Sequence, residues 1–273
     1  MKRVKLAGLN IFFGLFAIAI LFPIFVMVMS SFMPSWTMTP AYVNGQTTKL
    51  ALIPMPITIS QYREAFLLDT KLLNTFWNSF IWSVITALCQ VVLALAAGYV
   101  LAKIHFPGSG FILTLFIFAM LMPIQVTIVP HYIITQQLHI YNTPWALYLP
   151  LIFAPFGSFL MCQTIAHLPE EMMEYARLEG AGTDRVLCQI VIPYAMPGLW
   201  LVFLFSFAEA WNTIEQPLIL LRDPTQYPLS LLIHTQGQIS AQYVFVAAIV
   251  MIVPIVSFLM FMRDRELGGL MNL

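Results

Sequence analysis

The stretch Glu174-Tyr-Ala-Arg-Leu-Glu-Gly180-Ala-Gly-Thr-Asp-Arg-Val-Leu-Cys-Gln-Ile190-Val-Ile-Pro193 is short and polar, and lies between two long apolar blocks. Its chemistry is that of a contact. Carboxylates and guanidinium groups can pair across an interface there, and small residues let helices approach closely. A second cluster, Glu209, Trp211, Asn212, Glu215 and Gln216, falls within an apolar run. It offers hydrogen-bonding groups beside an aromatic face, which suits the path of a polar solute, since such groups are costly in lipid and usually face a bundle interior or water. Gln125 and Thr127 are second-rank residues of the same kind. The chain carries no His-Glu-x-x-His and no paired nucleophile and base, as an intramembrane enzyme would need, and no nucleotide-binding Gly-Lys-Ser/Thr loop. Cys89, Cys162 and Cys188 are dispersed, as are His105, His131, His139, His167 and His234. No spacing suits a metal, and neither metal nor cofactor is expected.

Long apolar elements must position these clusters. Hydrophobic residues make up 60% of the chain and charged residues only 9%, against a soluble norm of about a quarter charged. The charges also leave gaps: none lies between Lys5 and Lys49, Lys71 and Lys103, Lys103 and Glu170, Arg185 and Glu209, or Asp223 and Arg263. A bilayer core needs about 20 apolar residues per helix, so each gap holds a span and the third holds two. A polar break from Gln136 to Pro144 divides that third gap. The expectation is an all-α polytopic membrane protein of one domain, 1–273, with six spans near 9–32, 74–102, 110–133, 145–167, 195–221 and 242–262. Helices of period 3.6 satisfy the backbone in hydrocarbon, and no alternating pattern suggests a barrel.

Basic residues near span ends set orientation. With the N-terminus inside, Lys2, Arg3, Lys5, Lys103, Arg177, Arg185, Arg263 and Arg265 are cytoplasmic, and Lys49, Arg63, Lys71 and Arg222 are outside. That imbalance predicts both termini inside. The apolar run from Leu6 to about Met33 is too long for a cleaved signal and reads as a retained span. The formal net charge is zero and no basic cluster points to nucleic acid. Between the first two spans, Ile53-Pro-Met-Pro56 leads to Thr58-Ile-Ser60-Gln-Tyr-Arg-Glu64-Ala-Phe66. Ser60 suits an N-cap there, with Arg63 and Glu64 on one face and Tyr62 and Phe66 on the other. This short helix can pack on the bundle, serve as a docking surface for an external partner, or do both.

Within 168–193, Pro169 followed by Glu170 and Glu171 predicts a helix start. Gly180-Ala-Gly182 predicts its end, because glycine accepts left-handed geometry. Thr183 then suits the cap of a second helix, with an apolar stripe at Val186, Leu187 and Ile190, and Pro193 and Pro197 are expected to terminate it.

This segment resembles the signature cytoplasmic loop of ATP-binding-cassette importer permeases, whose pattern is Glu-Ala-Ala, three residues, Gly, nine residues, Ile, one residue, Leu-Pro. Glu174, Ala176, Gly180, Ile190 and Pro193 match with the spacing intact, and Tyr175, Glu179 and Ile192 depart from it. His105-Phe-Pro-Gly108, Pro123 to Pro130, Asn142-Thr-Pro144, Ala210-Trp-Asn212 and Pro217 to Leu221 are similar to the second permease subunit of carbohydrate importers of the maltose and glycerol-3-phosphate type.

The resemblance implies the permease fold of type I importers and residence in a bacterial inner membrane. It also implies a second permease subunit, two ATPase subunits and an extracytoplasmic solute-binding protein. Glu174, Ala176, Gly180, Ala181, Ile190 and Pro193 would form the coupling loop that sits on an ATPase. Glu209, Trp211, Asn212, Glu215, Gln216 and Gln125 are expected along the solute path: Glu209, Asn212 and Gln216 on one face of the fifth span by steps of 3 and 4, Trp211 and Glu215 on a neighbouring stripe, and Gln125 in the third span; the other reading of them is polar glue between helices. The implied cargo is a sugar or oligosaccharide, with polyol phosphates such as glycerol-3-phosphate as the alternative. A secondary transporter is the rival class, for which Glu209 and Glu215 are the nearest thing to mid-membrane coupling carboxylates.

Overall fold

The computed structural model describes residues 2–34, 56–68, 70–234 and 241–270. The expectations for Lys49 and for Ile53 to Met55 lie outside the described residues. Among the described residues, every regular element is helical. The chain divides into two compact units, one of residues 1–74 with 232–254, the other of residues 75–231 with 255–273.

In the first unit, helix α1 (Lys2–Ser31) is apolar from Ile11 to Met29, and its described side chains from Leu9 to Phe25 are exposed. Its C-terminal end is tied down. The Ser31 hydroxyl lies 2.8 Å from that of Tyr62, the Thr58 N–H donates to the Phe32 carbonyl across 2.9 Å, and the Gln61 amide donates to the Met33 carbonyl. Gln61 and Tyr62 belong to the short helix α2 (Ser60–Arg63), which Thr58 precedes and which widens into a π-turn at Glu64–Leu68. Its cap differs from expectation. Ile59 is the N-cap, and the Thr58 hydroxyl accepts from the Ser60 N–H at 3.1 Å. Gln61 and Ala65 are the inward residues, and Phe66 is exposed. The π-turn rotates Phe66 off the Tyr62 side, since each wide turn adds a residue to the helical count.

Helix α3 (Thr70–Lys103) runs out of the first unit into the second. There follow α4 (Ser109–Leu121), α5 (Ile124–Gln137), α6 (Pro144–Ile152), α7 (Pro155–Ala166), α8 (Glu170–Leu178), α9 (Thr183–Val186), α10 (Ile192–Asn212), α11 (Glu215–Leu220), α12 (Leu229–His234) and α13 (Ala241–Leu270). Among the described residues, five stretches are long and apolar enough to cross a membrane: Phe12–Ser31, Thr70–Lys103, Pro144–Ala166, Thr183–Asn212 and Val244–Met262.

The third expected span, 110–133, is instead a bent pair. Helices α4 and α5 meet at 104°. Pro123 has no N–H to continue the helix and drives Met122 out of the helical region, to ψ 122°. The fifth span also departs from 195–221. It begins at Thr183, crosses Pro193 and Pro197 without ending, and stops at Asn212. A π-turn at Leu187–Val191 precedes Pro193, so the helix widens where proline would remove its hydrogen bond and clash with the preceding turn.

The core of the second unit lies where α3, α7 and α10 meet. A Cβ on Gly98 would sit 2.5 Å from the Met161 Cβ and 2.8 Å from the Cys162 nitrogen; one on Gly157 would sit 3.1 Å from the Ala94 Cβ and the Val202 Cγ1. Lipid tails are as apolar as these side chains, so close van der Waals contact, and not escape from water, holds such helices together. Ala94, Met161, Ile165, Ala195, Leu199 and Val202 fill the contact, and the same cluster runs on through Leu168, Met173, Val186 and Val191.

Candidate functional site

Two places bring the chemistry-bearing residues together. The first is the 168–193 segment. Helix α8 starts after Pro169, with Glu170 and Glu171 in its first turn and Arg177 in its last, each on the side that the helix dipole favours. It ends in a Schellman motif. The Gly180 N–H donates to the Arg177 carbonyl at 3.0 Å, the Ala181 N–H donates to the Ala176 carbonyl at 2.9 Å, and Gly180 has φ 88°. An L-residue would be strained there. Gly182, and not Thr183, is the N-cap of α9.

Ala176, Ala181, Leu187 and Ile190 pack against the cluster formed by Leu168, Met173, Val186 and Val191. The bent unit is therefore continuous with the membrane core. Its other face is free of the chain: Glu174, Tyr175, Leu178 and Gly180 are exposed, Tyr175 at 71% and Leu178 at 84%, and Pro193 is exposed on the helix that follows. The tyrosine in place of the usual alanine leaves the packing of α8 on the bundle undisturbed, because it points away from it.

The second place is where two helix breaks face each other. Helix α10 stops at Asn212, Thr213 takes ψ 132°, and α11 starts at Glu215. Gln125 stands in the first turn of α5, just past the α4–α5 bend. Its amide donates to the Glu215 carboxylate at 3.3 and 3.4 Å. Glu209, Asn212, Glu215 and Gln125 are exposed in the isolated chain. Asn212 donates to the Ala208 carbonyl one turn back, at 2.8 Å.

The break also changes the expected single face. With the chain leaving the helix at Thr213, Gln216 no longer follows Glu209 and Asn212 by helical steps. Gln216 is buried, and so is Trp211, at 0% exposure. Phe207 stacks on Trp211 at 5.5 Å, and Phe76 and Phe80 meet it edge-on at 5.7 and 6.4 Å. Its faces are occupied by the protein, so Trp211 is core and offers no stacking surface. Helix breaks of this kind leave backbone polar groups and side chains where they line a cavity, the arrangement that transporters use for solute contact.

Beside these, the structure reveals polar partners that were not singled out in the sequence. The Gln90 amide donates to the Ala154 carbonyl at 3.1 Å, and the Ser206 hydroxyl donates to Gln90 Oε1. The Lys103 ammonium donates to the Leu168 carbonyl at 2.6 Å. The only signal for Gln90 was a lone amide in an apolar run. For Lys103 it was a charge in the last turn of a span.

Residues 90–265 match the family described as the binding-protein-dependent transport system inner membrane component. Over 267 residues the chain is 27% identical to the arabinooligosaccharides transport system permease protein AraQ of Halalkalibacterium halodurans, covering 96% of this chain and 93% of that one. It is 24% identical over 234 residues to the sn-glycerol-3-phosphate transport system permease protein UgpE of Brucella abortus, covering 82% and 83%. Its fold is similar to that of a chain in the crystal structure of a bacterial ABC transporter involved in the import of the acidic polysaccharide alginate, with a TM-score of 0.80, 20% identity and 96% of each chain covered. This chain belongs to the family of inner-membrane components of binding-protein-dependent transport systems.

Proposed function

We propose that the chain is one of two permease subunits of an ATP-driven importer for sugars or oligosaccharides. It pairs with a second permease, two ATPase subunits dock at its cytoplasmic face, and an extracytoplasmic binding protein delivers the solute. Both termini are cytoplasmic in this reading, which rests on the distribution of basic residues.

The observation that carries the reading is the build of the 170–193 unit. One face, with Ala176, Ala181 and Ile190, packs into the membrane core, while Glu174, Tyr175 and Leu178 stand free. A rigid unit of that kind passes a push from a partner to α10 as a rigid-body motion. The solute path is assigned to Gln125, Glu209, Asn212 and Glu215. The arabinooligosaccharide relative supports a sugar cargo. The glycerol-3-phosphate relative keeps a polyol phosphate as the second reading. Against that reading, Arg222, which follows α11 closely, is engaged by Tyr141, whose hydroxyl accepts from its Nε at 3.0 Å.

Gly180→Leu in the assembled transporter tests the coupling. The variant is expected to insert at normal levels and to lose either ATPase docking or transport per ATP. Normal transport would remove the coupling assignment.

A further inference from the structure

We propose that Lys103 is a positioning residue for the coupling unit, acting through the carbonyl of Leu168; the inference rests on the coupling role proposed for residues 170–193. Lys103 is the last residue of α3, and Leu168 stands between the end of α7 and the N-cap of α8. The two are separated by 65 positions in sequence and joined by a 2.6 Å hydrogen bond. Since Pro169 follows, the Leu168–Pro169 peptide has a carbonyl and no N–H. The Leu168 N–H already donates to the Ile165 carbonyl at 3.1 Å, and the Lys103 ammonium takes the Leu168 carbonyl. The bond is charge-assisted, the stronger class of protein hydrogen bond.

The geometry around this bond explains what it does. The body of α8 is held by apolar packing, through Met173 and Ala176, and its C-terminal end by Ala181. The Leu168 side chain is buried in the same cluster, against which Tyr99 and Ala102, near the end of α3, also pack. Lys103 adds a directional tie at the one point where the backbone leaves a helix. A force on α8 then reaches α3 as well as α7, and the three move together. Without the tie, the link can turn about the Leu168 backbone, and motion of α8 is partly absorbed there. Lys103 is also the only charged residue between Lys71 and Glu170, so no neighbouring charge in that part of the sequence can stand in for it.

The test uses the complete transporter in lipid, with solute uptake and ATP hydrolysis measured on the same preparation. Lys103→Met is expected to lower solute moved per ATP by about tenfold, the size that one charge-assisted hydrogen bond can supply, with hydrolysis largely kept. Lys103→Arg, which keeps charged donors, is expected to restore the ratio. Lys103→Gln, whose shorter amide stops short of the carbonyl, carries the same expectation as methionine should that variant not accumulate.

Amide hydrogen exchange on the same complexes reports the mechanism separately. Faster exchange confined to the residues around His167 to Met172 is the expected result. A ratio equal to the wild type in both neutral variants overturns the proposal. So does faster exchange spread evenly through α3, α7 and α10, which would mark a general stabilising role. If Gly180→Leu uncouples while Lys103→Met does not, the strut is wrong and the coupling unit stands. If neither uncouples, the coupling assignment itself fails.

Discussion

The side-chain amide of Gln90 donates to the main-chain carbonyl of Ala154 across 3.1 Å, at the point where the Pro144–Ala166 span is interrupted ahead of Pro155. Gln90 is buried, and its own carbonyl accepts from the Ser206 hydroxyl, so one residue of α3 joins the break between α6 and α7 to α10. The Ser206 hydroxyl also lies 2.6 Å from the Val202 carbonyl, one turn back. Three spans thus meet on a polar contact in the middle of an apolar core.

Removing Gln90 leaves Ser206 and Ala154 without this partner, whereas removing Ser206 leaves only Gln90 Oε1 short. Gln90→Leu should therefore cost about 1–3 kcal/mol of stability, the range for orphaned buried polar groups. Ser206→Ala should cost under about 1 kcal/mol, close to the mean of interhelical hydrogen bonds in membranes. Unfolding of purified protein in mixed micelles, as a double-mutant cycle, measures both and their coupling. Additive costs would show that the two residues do not act as a unit.

Gly98 should tolerate no side chain. Even a methyl group would meet the Met161 Cβ and the backbone nitrogen of Cys162, so α3 and α7 would have to separate. Gly98→Ala is expected to cost about 1–3 kcal/mol as overpacking does. Gly110→Ala meets nothing within 4 Å and should be neutral or mildly stabilising. Thermal unfolding of the two variants side by side checks the contrast.

Asn142 holds φ 60°, and its Oδ1 accepts from the backbone N–H groups of Arg222 at 2.6 Å and Asp223 at 3.1 Å. Asn142→Ala loses the acceptor and strains the left-handed backbone, for about 1–3 kcal/mol together. Asn142→Gly loses the acceptor alone. Trypsin cleavage after Arg222 in the detergent-purified protein should be fastest for alanine, intermediate for glycine and slowest for the wild type.

Asp223 supplies a pH dependence. Its carboxyl is held below the usual carboxylate range, first by the hydrogen bond from the Thr225 hydroxyl, then by that from the Thr225 N–H, with a further bond from Gln226; slight desolvation opposes them. A folded pKa below the unfolded one means that the turn is favoured above the unfolded value, about 3.9, and that the gain is lost as pH falls through the folded value. The protection factor of the Thr225 amide should fall as the pH is lowered from about 5 toward 3, and Asp223→Asn should flatten the profile.

The long spans were legible in the chain because charges are absent from them, and the end of α8 because Gly180 is the residue that left-handed geometry admits. The 174–193 spacing carried the family. What escaped were effects of proline in context. Pro123 produces a sharp bend, yet Pro193 and Pro197 sit inside a helix that a π-turn has widened to receive them. No local pattern separates these cases, because tertiary packing decides where the freed backbone groups go. The placement of Trp211 escaped for the same reason. Its partners Phe76 and Phe80 lie more than a hundred residues away in sequence, on α3, so its burial depends on a helix crossing that periodicity does not encode. Lys103 and Gln90 were visible as polar residues, but each donates to a backbone carbonyl far away in the sequence, which leaves no mark there.

The most direct measurement is solute uptake into proteoliposomes that contain this chain, its partner permease, the ATPase and the binding protein, with ATP supplied on the ATPase side. Uptake of a sugar or oligosaccharide that requires ATP hydrolysis, is abolished without the ATPase and is uncoupled by Gly180→Leu is the predicted result. Uptake by this chain alone, driven by an ion gradient and indifferent to ATP and to Gly180→Leu, would contradict it.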